Sequence, residues 1–229
     1  MGVSRKKYGQ GVFGQCVYCG EEAELTGDHV IPQALFIPPL PANMIKVPAC
    51  LRCNRIKSGT DDFLRDILVT DQHGSKHPTA QKLFDSKVLR SHLRNSSRVT
   101  RDIVSKAQLR PLYTPAGIYL GHFHTVDIDS SKLNKIFTWI IRGLYYDHRN
   151  QRIPDDYAFE VVQYAPGDFK GAWQIVQQNL NPNGPISLGD VFSCAYVAAA
   201  EDLFSTWWFL EFYGGACFAV TTEKTKTEH

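Results

Sequence analysis

Four of the six cysteines form two Cys-x-x-Cys pairs near the start of the sequence. The pairs are Cys16/Cys19 and Cys50/Cys53. Two cysteines separated by two residues can reach one ion, and a second pair completes the tetrahedral thiolate set that Zn²⁺ prefers. In a reducing compartment such pairs indicate metal binding rather than disulfide bonds. The sequence therefore predicts one structural zinc site.

Four residues that suit a different chemistry lie between and directly after these pairs. Asp28 and His29 are adjacent, Asn43 follows further along, and Asn54 comes directly after the last of the four cysteines. Hydrolysis of a phosphodiester needs a base that activates water and a cation that stabilises the developing charge. Histidine, which titrates near neutrality, suits the base, and carboxylate and amide oxygens suit a hard ion such as Mg²⁺. Taken singly, each residue also fits a structural role, as a turn aspartate, a surface histidine or a helix cap.

The surrounding pattern predicts the elements that position these residues. Residues 24–31 read as a strand, a turn and a second strand, and residues 44–48 as a further strand. A helix is expected from Ala49 to about Val69, interrupted near Ser58–Thr60. A hairpin followed by a helix would bring Asp28 and His29 close to Asn54.

This arrangement resembles the HNH endonuclease family, whose fold is called ββα-metal. The resemblance covers about residues 14–60. Asn54 stands where the family name has a histidine, as in many members of the family. The matching residues are Cys16, Cys19, Asp28, His29, Val30, Ile31, Pro32, Asn43, Cys50, Cys53, Asn54, Lys57 and Ser58.

The resemblance implies a role for each of these polar residues. His29 would act as the general base, and Asp28 and Asn54 would bind a catalytic Mg²⁺ or Mn²⁺ ion. Asn43 would hold the His29 ring or its neighbouring loop, and Lys57 would contact phosphate. The expected function is a metal-dependent endonuclease that hydrolyses DNA, with RNA not excluded. The alternative is a non-catalytic zinc module that binds nucleic acid or protein.

A strongly basic segment follows the motif. The whole chain has a net charge of only +2, but from Lys87 to Arg110 there are seven Lys and Arg residues against Asp102 alone, a net charge of +6. The helical pattern from residue 78 to 109 would place arginines three or four positions apart on one face, where they could follow a phosphate backbone. An ordinary solvated surface is the alternative. The arginines are Arg90, Arg94, Arg98 and Arg101.

The sequence pattern of the last part of the chain predicts a helix followed by a mostly antiparallel sheet. A helical stripe ends near Tyr146, and the later segments read as strand 157–164, helix 167–178 and strands 191–199, 205–213 and 216–222. No catalytic motif is found in this part. Its role is open: it could sense a signal, select DNA, support a homodimer or bind a protein partner.

The fold class expected from these patterns is α+β. It combines an N-terminal zinc-stapled ββα-metal (HNH) module, a helical basic middle, and a C-terminal helix plus mostly antiparallel sheet. The expected organisation is a basic arm (1–14), the HNH nuclease module (15–70), the basic helical segment (71–110) and an α+β domain (111–229).

No apolar run approaches the roughly 18 residues of a membrane span, and the N-terminus has no signal-peptide core. A cytoplasmic protein without a membrane partner is therefore expected.

Overall fold

The computed structural model describes residues 9, 11–90, 108–113, 116–125, 128–180 and 182–225. It confirms the α+β class, with the four cysteines in the N-terminal part and an antiparallel sheet in the C-terminal part. Among the described helices, none is long and apolar enough to cross a membrane.

Three antiparallel strands and one long helix form the N-terminal part. The sheet has the order β1-β2-β3, and β3 leads directly into helix α1. The first half of β2 pairs with β1, and its second half pairs with β3, from Leu25 opposite Cys50 to His29 opposite Lys46. The bounds are β1 Phe13–Gln15, β2 Glu22–His29, β3 Lys46–Cys50 and α1 Leu51–Thr70.

Two local expectations for this part were wrong. Residues 22–29 form one continuous strand without a turn, because pairing with β3 continues through Gly27, which lies opposite Pro48. Helix α1 is not interrupted near Ser58–Thr60. An exposed glycine such as Gly59 costs a helix only about 1 kcal/mol of stability. Burial of Leu64 and Leu68, in the following turns of α1, outweighs that cost.

The segment after α1 is helical and then changes to a hairpin. Helix α2, Pro78–Leu83, continues as a wider π-helical turn over Phe84–Leu89. Strands β4, Gln108–Tyr113, and β5, Tyr119–Thr125, form a two-stranded antiparallel sheet. The last residues of the segment predicted as helical therefore belong to a strand. Arg94, Arg98 and Arg101 lie outside the described residues.

The C-terminal part has two helices and a five-stranded antiparallel sheet with the order β6-β10-β9-β8-β7. Strand β7 was not expected, because its sequence carries Gly184 and Pro185; at the edge of a sheet both residues are tolerated. The bounds are α3 Ser130–Arg149, β6 Tyr157–Tyr164, α4 Pro166–Asn179, β7 Asn183–Leu188, β8 Phe192–Ala198, β9 Thr206–Phe212 and β10 Ala216–Lys224.

One continuous hydrophobic core joins the two parts. It contains Val47 of β3 and Val30, which directly follows β2, together with Phe137 and Ile140 of α3 and Phe218 of β10. Polar contacts also cross between the parts. The Tyr213 hydroxyl donates to the Leu35 carbonyl at 2.8 Å, and the Arg142 guanidinium donates to the Tyr18 carbonyl. The C-terminal part thus supports the elements that carry the motif.

Candidate metal centre and catalytic site

The four cysteines converge on one point. Cys16 and Cys19 lie in the turn between β1 and β2, Cys50 ends β3, and Cys53 lies in the first turn of α1. All four sulfur atoms lie within 4.8 Å of one another, and the Cys19 and Cys50 sulfurs are 3.9 Å apart. In a tetrahedral site with Zn–S bonds of about 2.3 Å, neighbouring sulfurs are about 3.8 Å apart. The donor set therefore fits a structural zinc ion.

Cys50 also begins the helix that carries the rest of the site. Its sulfur caps α1 by accepting a hydrogen bond from the Cys53 amide at 3.4 Å. The amino end of a helix carries partial positive charge, which stabilises nearby thiolates. The metal site thus fixes where β3 ends and where α1 begins.

A first contact between β2 and α1 orients Asn54. The Asn54 amide nitrogen donates to the Thr26 hydroxyl at 2.8 Å, and that hydroxyl donates to the Ala49 carbonyl at 3.0 Å. Because the Thr26 hydroxyl uses its proton on Ala49, it can only accept from Asn54. The amide oxygen of Asn54 is consequently directed away from Thr26. It accepts a hydrogen bond from the Ser58 hydroxyl at 3.4 Å and keeps a second lone pair that can serve a metal ion.

A second contact between the same elements holds Asp28. The Lys57 ammonium lies 3.1 Å from Asp28 Oδ2, and the Tyr18 hydroxyl donates to the same oxygen at 2.5 Å. All three side chains are buried. Burial, and secondarily Asp28, raises the pKa of Tyr18 well above its ordinary value, so Tyr18 keeps its proton as a donor. Both of these contacts are made to Oδ2 and neither to Oδ1.

His29 ends β2 and is half-buried. Its carbonyl accepts a hydrogen bond from Lys57 at 2.6 Å, and its Nε2 lies 3.4 Å from the Gln33 amide nitrogen. Burial lowers the pKa of His29, and the charge of nearby Lys46 lowers it further, against an opposite effect of Asp28. The neutral imidazole, which can accept a proton, is therefore favoured near pH 7.

The other predicted residues have different surroundings. Asn43 is exposed, and its amide donates to the Ser187 carbonyl of β7 at 2.8 Å. Lys57, expected at a phosphate from its position in the motif, is buried with the two internal partners given above. Arg90 is exposed at the end of the second helical segment.

Three residues beside the site were missed by sequence reasoning. Thr26 and Tyr18 position Asn54 and Asp28, and Lys46 is exposed directly opposite His29 in the β2–β3 register. Their relation to the motif depends on strand register and chain crossing. Had the pairing of β2 with β3 been predicted, Lys46 would have been recognised as the residue opposite His29. No feature of the local sequence identifies Thr26 or Tyr18.

The geometry agrees with a comparison against known families. Residues 16–60 match the model of the HNH endonuclease family. A search of curated proteins and a search of solved structures each found no match. Residues 16–60 are therefore similar to HNH endonuclease domains, and this similarity supports a nuclease function in general and nucleic acid as the substrate.

Proposed function

We propose that the chain is a zinc-stabilised, Mg²⁺- or Mn²⁺-dependent endonuclease that hydrolyses phosphodiester bonds in DNA. The observation that carries this proposal is the docking of β2 on α1, through Thr26 on Asn54 and Asp28 on Lys57. Thr26 and Asp28 are two positions apart and share one face of β2, and they meet Asn54 and Lys57, which are three positions apart on one face of α1. The same two elements therefore hold both oxygen ligands and His29.

Asp28 Oδ1 and the Asn54 amide oxygen are the groups that would hold the catalytic ion. When bound, a divalent ion supplies positive charge for the phosphate oxygens and for the leaving 3′ oxygen. Its two protein ligands leave room for the waters that Mg²⁺ retains. Asp28 keeps Oδ1 for this purpose because Lys57 and Tyr18 engage only Oδ2.

His29 would take the proton from the attacking water. The water oxygen forms a bond to phosphorus, the bond from phosphorus to the 3′ oxygen breaks, and the water proton moves to the imidazole. The leaving oxygen then takes a proton from solvent. Lys57 holds the peptide carbonyl of His29, so the imidazole is presented from a fixed backbone position.

Lys46 and the arginines of the basic segment would contribute to substrate binding. Lys46 lies opposite His29 in the strand register, where its ammonium could meet a phosphate oxygen next to the attacked group. Arg90 and the arginines at positions 94, 98 and 101 would contact the backbone further away.

The test is cleavage of supercoiled plasmid with Mg²⁺, Mn²⁺ or EDTA, beside single-stranded DNA and RNA. The zinc-loaded chain is expected to nick the plasmid in either divalent metal but not in EDTA. His29→Ala should abolish nicking, whereas His148→Ala, an exposed histidine of α3, should retain it. Equal cleavage by the His29→Ala chain would remove His29 from the mechanism. Binding without cleavage in every condition would favour the non-catalytic zinc module.

A further inference from the structure

The β4–β5 ribbon exposes four large, mainly apolar side chains. Leu109 is 59% exposed, Tyr113 56%, Ile118 63% and Tyr119 50%. A two-stranded hairpin is only marginally stable by itself in water. An exposed ribbon with this composition is typical of an element that is covered when a partner binds.

The exposed side chains are arranged as an aromatic cluster. Tyr113 lies opposite Tyr119 in the strand register, with ring centroids 5.5 Å apart. The Tyr119 ring lies 5.7 Å from the His122 ring, and the Tyr119 hydroxyl is 2.5 Å from His122 Nδ1. Rings that are held by one another lose little conformational freedom when a partner packs against them.

The polar groups of the ribbon are cationic. Arg110 is exposed in β4, and its guanidinium is steadied by the Gln108 side-chain oxygen at 2.8 and 3.1 Å. No Asp or Glu occurs from residue 103 to 126, and the segment that precedes the ribbon carries most of the net charge of +6 described above. Charge complementarity therefore favours a polyanion over a neutral or basic protein surface.

We propose that the β4–β5 ribbon is a binding element for double-stranded DNA. A two-stranded ribbon fits the width of the major groove. Arg110 contacts a backbone phosphate, and Tyr113 and Tyr119 pack against sugars and base edges inside the groove. This proposal rests on the proposed function for its choice of nucleic acid, but it concerns binding by residues distant in sequence from His29.

The test measures binding separately from cleavage. Fluorescence anisotropy with a duplex of about 25 base pairs is recorded in the His29→Ala background, at several salt concentrations. Tyr113→Ala combined with Tyr119→Ala is expected to weaken binding at least about tenfold. Arg110→Gln is expected to weaken binding and to reduce the salt slope by about one. Control substitutions at exposed apolar positions elsewhere, Val162→Ala and Ile175→Ala, should leave both quantities unchanged.

DNA affinity, sedimentation and hydrolysis together decide the proposal. Affinity and salt slope equal to those of the controls would overturn it. A change in sedimentation with no change in DNA affinity would also overturn it, because the ribbon would then bind a second copy of the chain. Hydrolysis of bis(p-nitrophenyl) phosphate by chains with His29 intact separates the two proposals. If the ribbon variants lose DNA affinity but hydrolyse this substrate like the unchanged chain, both the nuclease proposal and the ribbon proposal are supported. If they lose DNA affinity and the unchanged chain does not hydrolyse the substrate, only the ribbon proposal is supported.

Discussion

The ammonium of Lys57 lies 3.1 Å from Oδ2 of Asp28, and both side chains are buried. The same ammonium donates to the carbonyl of His29 at 2.6 Å. One side chain of α1 therefore holds two consecutive residues at the end of β2. This relation makes Lys57 a positioning residue in the proposed mechanism, rather than one that contacts phosphate.

Replacing Lys57 by Met would leave the Asp28 carboxylate buried without its charged partner. Removal of one member of a buried ion pair typically costs about 3–5 kcal/mol. We expect Lys57→Met to lower the free energy of unfolding by that amount, measured by urea denaturation of the zinc-loaded chain. The control is Lys82→Met, since Lys82 is an exposed lysine of α2. A Lys57→Met chain as stable as the Lys82→Met chain would show that the pair does not contribute.

Replacing Thr26 by Val would remove the hydroxyl that orients Asn54. The shape of the side chain is nearly retained, but the Asn54 amide nitrogen loses its acceptor, so that the long hydrogen bond from Ser58 alone orients the amide. Loss of a group that orients a metal ligand commonly costs about 10–100-fold in metal affinity or activity. We expect the Mg²⁺ concentration for half-maximal cleavage to rise by that factor in Thr26→Val. Thr26→Ser, which keeps the hydroxyl, should behave like the unchanged chain, and similar values for all three would contradict the orienting role.

Removing zinc should unfold the N-terminal part first and then weaken the rest. Structural zinc sites contribute about 10–16 kcal/mol in small zinc domains, and Cys16, Cys50 and Cys53 belong to the same core as α3 and the large sheet. We expect about one zinc per chain by elemental analysis, and early proteolysis of residues 15–70 after chelation. Cys19→Ser should lose the metal.

Cys194→Ser provides the matched control for that experiment. Burial raises the pKa of the Cys194 thiol to about 12, so it is an unreactive core thiol far in sequence from the zinc ligands. This variant should retain its zinc. An unchanged proteolysis pattern after complete metal removal would contradict a structural role for the ion.

Replacing Gly143 by Ala should destabilise the chain although Ala favours helices. A Cβ at Gly143 of α3 would lie 2.7 and 2.8 Å from the two methyl groups of Val30, next to His29. Overpacking of this kind costs about 1–3 kcal/mol, against a helix-propensity gain of about 1 kcal/mol. We expect thermal unfolding at a lower temperature for Gly143→Ala. Gly171→Ala in α4, where no atom lies within 4 Å of the new Cβ, should not lower it.

A second substitution separates overpacking from other effects at Gly143. Combining Gly143→Ala with Val30→Ala removes the methyl groups that the new Cβ would meet. The double variant should cost less than the sum of the two single variants. Additive losses would show that Val30 is not the source of the strain.

Asp61 of α1 should make stability depend on pH. Burial raises its pKa from 3.8 to about 6, although the charge of Lys57 acts in the opposite direction. Because the folded-state pKa is raised, the stabilising effect of the protonated form is complete below the unfolded value and is lost as pH rises through about 6. Asp61→Asn should therefore raise the unfolding temperature at about pH 8 and change it less at about pH 5.

The neighbouring Asp62 gives the matched control. Its carboxylate is exposed and forms a salt bridge of 2.5 Å with Arg65. Asp62→Asn should bring no gain in unfolding temperature at the higher pH, since it removes a favourable contact. A gain of equal size for both variants would point to net charge rather than to burial of Asp61.

The sequence alone indicated which functional groups the N-terminal part brings to the proposed site. The spacing of the four cysteines indicates one zinc site, because two residues between a pair let both sulfurs reach one ion. The sequence also offers a candidate general base, His29, and two candidate oxygen ligands for a divalent ion, Asp28 and Asn54. Periodic apolar residues predicted α1, α3 and most strands of the large sheet, since periodicity is a local property of the chain.

Only the tertiary structure decided how those groups are held. Asn43 bonds Ser187, which is 144 positions away, and Val30 packs on Gly143. Thr26 and Tyr18 became part of the site only once the β2–β3 register and the crossing of α1 were fixed. Such contacts depend on the packing of segments distant in sequence, so no local pattern records them. For the same reason the sequence did not show that Lys57, expected to contact phosphate, is buried beside Asp28.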